Sequence, residues 1–121
     1  MKTILVIDDD PLFLRMYEAS LAFYKDIKVF TAASGKEGIA LAQNTHPAVI
    51  FLDYKMPGMS GAEVSRALRE NPATKSIPVV LVTSETSESA AKDAVFDLFV
   101  SKPVTGVKVR LLLQKYLGIA A

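Results

Sequence analysis

Apolar runs of strand length, separated by segments with helical patterning, constrain the fold of this chain more than any other feature of its sequence. Five such runs cover residues 4–7, 27–30, 49–52, 79–82 and 98–100. Short apolar runs bounded by polar or turn-forming residues are typical of strands. The first, third and fourth runs are apolar at every position, which indicates central strands of a parallel sheet with helices on both faces.

The segments between the runs carry signals for the beginning of helices. The first helix should begin at Pro11, with Asp10 as its N-cap, and should end near Tyr24. Its residues Leu12, Met16 and Phe23 share one side. Further helix starts are Ser34 with Glu37, Ser60 with Glu63, and Thr105 before a helix over residues 107–117. A fourth helix should lie within residues 86–96.

This alternation predicts an α/β fold in which a strand and a helix repeat five times. Right-handed crossovers leave either a Rossmann-like strand order or the flavodoxin-like order 2-1-3-4-5, and five strands favour the latter. A chain of 121 residues is long enough for one core and too short for two ordinary domains. We therefore predict a doubly wound, five-stranded parallel sheet in a single domain over residues 1–121, without an output domain.

Charge and composition exclude several classes of protein. Fourteen Lys and Arg residues balance thirteen Asp and Glu residues, so the net charge of +1 lacks the basic excess of nucleic-acid-binding proteins. The lack of cysteine excludes disulfides and thiol catalysis. The first apolar run ends at Asp8, too early for a signal peptide, and no run reaches the ~20 residues that span a bilayer. We expect a cytoplasmic protein that binds neither nucleic acid nor membrane.

Polar side chains follow the apolar runs at the edge where the ends of parallel strands meet. Asp8 and Asp9 follow the first run, Asp53 the third and Thr83 the fourth, and Lys102 comes just after the fifth. Open α/β sheets bind ligands outside this edge, where the strand order reverses, here between the first and third strands. Carboxylates gathered there repel one another unless a cation neutralises them. An oxygen-only ligand set favours Mg²⁺, with Mn²⁺ as a substitute.

The same residues suit phosphoryl transfer to a carboxylate. Asp53 is the predicted nucleophile, because a metal ion and a nearby ammonium stabilise the charge on the transferring oxygens. Lys102 would supply that ammonium and Thr83 a hydroxyl donor, while Asp8 and Asp9 would hold the metal directly or through water. The product would be an acyl phosphate on Asp53.

Over essentially its whole length, the chain resembles the receiver domain of two-component response regulators. The residues that carry the resemblance are Asp8-Asp9, Asp53 followed by Met56-Pro57-Gly58 and Gly61, Thr83, and Lys102-Pro103. Separate motifs in the right order, each at the end of its own predicted strand, make this resemblance specific. It implies that a histidine kinase or phosphotransfer protein phosphorylates Asp53. On this resemblance we predict a phosphoacceptor regulator that catalyses its own phosphoryl transfer and dephosphorylation, rather than a conventional enzyme. It also implies that the backbone carbonyl of Lys55 joins the metal ligands.

The resemblance further implies how a signal leaves the domain. Thr83 would move toward the phosphoryl group and Phe99 would turn inward, and the Lys102–Pro103 peptide would be cis. The face made by the fourth helix, the fifth strand and the fifth helix would then change shape for a downstream protein target. We expect a monomer in the unphosphorylated state. Family members often dimerise through that face when phosphorylated, so the resemblance leaves a phosphorylated dimer open.

The region of the fourth helix departs from the family pattern, and three other functions stay open. Val95-Phe96 stands where the family usually has Gly-Ala, and the stretch 83–102 is shorter than usual by about one helical turn, ~3.6 residues. A receiver that only binds proteins is one alternative. An aspartyl-phosphate hydrolase is another, although Lys55 occupies the usual place of its general acid. A flavin-binding flavodoxin relative is the third, although an acidic loop would repel its phosphate.

Overall fold

Strands and helices alternate along the chain as the apolar runs predict. The computed structural model describes residues 2–84, 92–102 and 104–118. The strands of this part are β1 (Lys2–Ile7), β2 (Ile27–Ala32), β3 (Val49–Asp53), β4 (Val79–Thr83) and β5 (Leu98–Ser101). Its helices are α1 (Pro11–Leu21), α2 (Gly35–Thr45), α3 (Gly61–Glu70) and α4 (Gly106–Leu117). Helix α4 corresponds to the fifth predicted helix.

All five strands belong to one parallel sheet, in the order β2-β1-β3-β4-β5. The predicted doubly wound α/β fold with the flavodoxin-like order 2-1-3-4-5 is therefore confirmed. In this order the chain leaves β1 toward β2 on one side and later returns to β3 on the other. The ends of β1 and β3 consequently flank the point where the strand order reverses.

Helices cover both faces of the sheet and divide the core into two halves. On one face, α1 and α4 bury side chains such as Tyr17 and Leu113 against alternate residues of β1, β3 and β4. On the other face, α2 and α3 bury residues such as Ala42 and Leu68 against the remaining ones. Every residue of β3 and β4 is buried. This packing holds the carboxyl ends of the central strands rigidly at one edge.

Side-chain caps set the beginning of each described helix. The N-caps are those predicted: Asp10 for α1, Ser34 for α2, Ser60 for α3 and Thr105 for α4. The cap at Asp10 matters most for the edge, because its Oδ1 accepts a hydrogen bond from the Leu12 amide at 2.9 Å. This bond fixes the first turn of α1 directly after Asp8 and Asp9.

Helix α1 is shorter than predicted, and the side shared by Leu12, Met16 and Phe23 is not the side that it buries. It ends at Leu21, and its buried residues are Tyr17 and Leu21. Leu12 is 56% exposed, Met16 is 39% exposed at the rim of a crevice, and Phe23, beyond the end of the helix, is 88% exposed. The helix carries two apolar stripes, so periodicity alone did not determine which of them the sheet would cover. The amide of Tyr24 donates to the carbonyl of Leu21 in the turn that leads to β2.

The predicted fourth helix does not extend over the described end of its range, 86–96. Residues 92–96 form turns and irregular backbone, and the rest of the prediction lies outside the described residues. Contacts with α3 account for this conformation. Arg66 donates to the carbonyl of Asp93 at 2.6 Å, and the amide of Val95 donates to Ser65 Oγ at 3.0 Å. Backbone groups that a helix would have paired internally are thus bonded to α3 instead.

No helix within the described ranges combines the length and apolar character that crossing a membrane requires.

Candidate functional site

The parallel sheet brings the predicted site residues to one edge. Strands β1 and β3 end side by side, with Asp8 directly after β1 and Asp53 as the last residue of β3. Strands β4 and β5 also end side by side, with Thr83 closing β4 and Lys102 directly after β5. The amide of Lys102 donates to the carbonyl of Thr83 at 2.8 Å. Backbone pairing therefore sets the positions from which these side chains reach one another.

Three carboxylates form an acidic cluster at this edge. Asp8, Asp9 and Asp53 each offer an oxygen, and the three oxygens lie within 4.8 Å of one another. Asp8 and Asp53 are buried, with exposures of 2% and 5%, whereas Asp9 is exposed. Carboxylates this close repel one another, and a cation would relieve the repulsion. Because the donors are oxygen atoms alone, the cluster fits a hard divalent cation such as Mg²⁺ or Mn²⁺.

The ammonium group of Lys102 lies against the two buried carboxylates. Its Nζ is 3.1 Å from Asp53 Oδ1 and 3.4 Å from Asp8 Oδ2, and the Lys102 side chain is 15% exposed. Burial lowers the pKa of Lys102, but the charges and hydrogen bonds of Asp53 and Asp8 outweigh burial and raise that pKa overall. Lys102 therefore stays positively charged beside Asp53.

Burial raises the pKa of the two buried carboxyl groups of the cluster, Asp8 and Asp53. Burial and the charge of Asp8 raise the pKa of Asp53 to about 6, against the opposing effect of Lys102. Burial also raises the pKa of Asp8, although the hydrogen bond from the Asp10 amide and the charge of Lys102 lower it. At neutral pH Asp53 is ionised at a cost in free energy, which is a suitable state for a carboxylate that acts as nucleophile or metal ligand.

The remaining predicted residues lie around this cluster. Thr83 is buried at the end of β4. Phe99 is half-buried on β5, where it packs against the core that α2 and α3 cover and lies 6.2 Å from the ring of Phe96. Lys55 lies two residues after Asp53, in the loop that follows β3, and is exposed. Pro103 lies outside the described residues, so the cis form of the Lys102–Pro103 peptide stays a prediction.

Gly61 holds the loop after Asp53 against the backbone of β3. A Cβ at Gly61 would lie 2.4 Å from the Asp53 carbonyl oxygen and 2.6 Å from Tyr54 Cα. The Gly61 amide donates to the Tyr54 carbonyl at 2.8 Å. Glycine is required here because the backbones approach too closely for any side chain.

Sequence reasoning missed two aromatic residues at the site. The ring of Phe13 lies under Lys102 Nζ, with 4.1 Å between the ring centroid and the nitrogen. The hydroxyl of Tyr54, directly after Asp53, donates to Asp93 Oδ1 at 2.7 Å. Neither contact has a signal in the sequence, because each joins residues that are distant along the chain.

Comparison with known proteins identifies the family of this chain. The model of the response regulator receiver domain matches residues 4–114. The chain belongs to this family. Receiver domains are phosphoacceptor regulators rather than conventional enzymes, and they interact with histidine kinases or phosphotransfer proteins.

Individual relatives of this receiver domain differ widely in length. Protein PilH of Pseudomonas aeruginosa is 36% identical over 90 residues, which cover 74% of this chain and 73% of PilH. Response regulator PleD of Caulobacter vibrioides is 39% identical over 113 residues, which cover 86% of this chain but 23% of PleD. This receiver domain thus spans about a quarter of the length of PleD.

Solved structures share the receiver fold. Chemotaxis protein CheY4 of Vibrio cholerae superposes with a TM-score of 0.86 at 29% identity, over 96% of this chain and 98% of CheY4. The receiver domain of sensor histidine kinase PA1611 from Pseudomonas aeruginosa has a TM-score of 0.86 at 21% identity, over 98% of both chains. That domain was crystallised with a magnesium ion coordinated in its active site cleft.

Proposed function

We propose that this receiver domain is a phosphorylation-dependent switch of a two-component system, in which Asp53 accepts the phosphoryl group. The observation that carries the proposal is the Lys102 ammonium 3.1 Å from Asp53 Oδ1, at the edge of a cluster of three carboxylates. This arrangement supports a nucleophile, a group of metal ligands and a positive charge acting at one place. Membership of the receiver family supports a histidine kinase or phosphotransfer protein as the donor.

The acidic cluster would hold Mg²⁺, for which Mn²⁺ would substitute. Asp8, Asp9 and Asp53 supply carboxylate oxygens for it, and the backbone carbonyl of Lys55 would complete the protein ligands. The all-oxygen donor set of the cluster supports this assignment. When bound, the ion neutralises part of the negative charge on the transferring phosphoryl group.

The side chains of the protein account for the transfer itself. An Asp53 carboxylate oxygen forms a bond to phosphorus while the bond from phosphorus to the leaving group of the donor breaks. The product is an acyl phosphate on Asp53. Lys102 stabilises the charge on the phosphoryl oxygens, and the hydroxyl of Thr83 donates a hydrogen bond to one of them. The burial of Asp53 strengthens both interactions, because little water competes with them.

The output of the switch would pass through the face that includes β5 and α4. In this proposed order of events, Thr83 first moves toward the new phosphoryl group. The side chain of Phe99 then turns inward and fills the space that Thr83 has left. A groove of about 370 Å³ between β5 and α4, lined by residues that include Phe99, Ser101 and Leu111, makes this face a suitable binding surface for a downstream protein. We further propose that the domain acts in the cytoplasm and is monomeric until it is phosphorylated.

Intact-mass spectrometry after incubation with acetyl phosphate and Mg²⁺ tests the proposal. The parent protein should gain the mass of a single phosphoryl group, and the adduct should be labile to acid and base. Asp53→Asn should gain none, and EDTA should abolish the reaction of the parent. Asp10→Asn is the matched control, because it removes a neighbouring carboxylate outside the cluster while keeping the N-cap of α1.

Each outcome has a defined meaning. Phosphorylation of the parent and of Asp10→Asn, but not of Asp53→Asn, supports the proposal. Phosphorylation that persists in Asp53→Asn would show that another residue is the acceptor. An unmodified parent that also fails to bind Mg²⁺ in a calorimetric titration would favour a receiver that only binds proteins.

A further inference from the structure

The ammonium group of Lys102 contacts an aromatic ring as well as two carboxylates. Its Nζ lies over the ring of Phe13 at 4.1 Å from the centroid, well inside the ~6 Å range of cation–π attraction. The same atom is 3.1 Å from Asp53 Oδ1 and 3.4 Å from Asp8 Oδ2. Because the Lys102 side chain is largely buried, water weakens this attraction less than at an exposed site.

The position of Phe13 is set by the structure around it. Phe13 is the third residue of α1, so the Asp10 cap fixes its backbone immediately after the acidic cluster. Its side chain lines a narrow crevice between α1 and α4, together with Tyr17 and Val104. Val104 follows Lys102 by two residues and is buried. The crevice therefore holds the ring close to the segment that carries Lys102.

We infer that Phe13 is a positioning residue for the phosphorylation reaction: its ring holds the Lys102 ammonium beside Asp53. This inference rests on the proposed function, in which Lys102 stabilises the transferring phosphoryl group. A lysine side chain has a long flexible stem and an ammonium that can pair with either carboxylate. Attraction to the face of the Phe13 ring limits the positions that the Lys102 ammonium can take. An aliphatic side chain of similar size would fill the crevice without attracting this charge.

Three substitutions separate attraction to the ring from simple packing. Phe13→Leu keeps an apolar side chain but removes the aromatic face, and Phe13→Tyr keeps that face. Met16→Leu is the matched control, because Met16 lines the same crevice and the ring contact of Lys102 does not involve it. The measurement is the rate constant for phosphorylation by acetyl phosphate at saturating Mg²⁺, followed by intact mass.

Phe13→Leu should react about three- to ten-fold more slowly than the parent, given the strength of a partly buried cation–π contact. Phe13→Tyr and Met16→Leu should stay within about two-fold of the parent, since both retain the ring. In a protein that already carries Lys102→Met, Phe13→Leu should not slow phosphorylation further, because the ring acts only through the Lys102 ammonium. Ring fluorination at position 13 should slow the reaction stepwise, since fluorine weakens the attraction with little change in shape.

A second measurement needs neither metal nor phosphate. In the NMR spectrum of the metal-free protein, the Lys102 ε-methylene protons should be shifted upfield by the ring current of Phe13, and Phe13→Leu should abolish this shift. Equal rates for the parent and Phe13→Leu, or an unshifted Lys102 signal in the parent, would overturn the inference while leaving the proposed function intact. A parent protein that is not phosphorylated and also fails to bind Mg²⁺ would overturn the proposed function and this inference with it.

Discussion

Replacing Asp53 by its neutral isostere, Asp53→Asn, should stabilise the metal-free fold at neutral pH. The Asp53 side chain is almost fully buried, and burial together with the charge of Asp8 raises its pKa from 3.8 to about 6. At 1.36 kcal/mol per pKa unit, this rise of about 2 means that keeping Asp53 ionised in the folded protein costs ~3 kcal/mol of stability. In the variant Lys102 keeps only its pairing with Asp8, so we expect a net gain of about 1–3 kcal/mol.

The gain should depend on pH with a definite sign. Between about pH 4 and pH 6 the folded protein retains a proton on Asp53 that the unfolded chain has released. The free energy of unfolding of the parent should therefore fall as the pH rises through this window and change little above it. Asp53→Asn lacks this contribution, so the two proteins should be nearly equal in stability below about pH 4 and differ most above about pH 6.

Urea unfolding followed by circular dichroism, in EDTA and over a series of pH values, measures this difference. Asp10→Asn serves as the control and should follow the parent within about 0.5 kcal/mol. Adding Mg²⁺ should narrow or reverse the difference in stability between the two proteins. A free Mg²⁺ concentration of 100 times the dissociation constant would stabilise the parent by about 2.7 kcal/mol. If Asp53→Asn is less stable than the parent at neutral pH in EDTA, ionised Asp53 does not destabilise the metal-free fold and the reasoning is refuted.

Three further substitutions test other parts of the site and fold. Lys102→Met should slow phosphorylation by acetyl phosphate about 10²-fold, the usual loss for one stabilising donor; an unchanged rate would exclude Lys102 from the transfer. Gly61→Ala should destabilise the fold by about 1–3 kcal/mol in thermal unfolding, because the added Cβ would lie 2.4 Å from a backbone atom. Gly106→Ala is its control and should be neutral or stabilising, because a Cβ at that position has no neighbour within 4 Å. Asp97→Ala should cost about 1–2 kcal/mol in the same assay, because its carboxylate accepts the Val79 amide at 2.8 Å; a loss below about 0.5 kcal/mol would contradict this.

Local patterns in the sequence determined most of the architecture and the composition of the site. The five apolar runs specify the strands, and the caps at Asp10, Ser60 and Thr105 specify helix starts, because both depend on residues adjacent in the chain. Strand order follows from the alternation together with the handedness of crossovers. That order places the residues after β1 and β3 at one edge, which is why Asp8 and Asp53 were predictable as neighbours.

Tertiary packing decided the features that depend on residues far apart in sequence. Leu12 and Tyr17 lie on different apolar stripes of α1, and only the docking of that helix on the sheet determined that Tyr17 is the buried one. The turns over residues 92–96 depend on hydrogen bonds to α3 that no local pattern encodes. The contact between Phe13 and Lys102 joins residues 89 positions apart. Such contacts form only when the whole sheet brings its strand ends together, so a local sequence pattern does not reveal them.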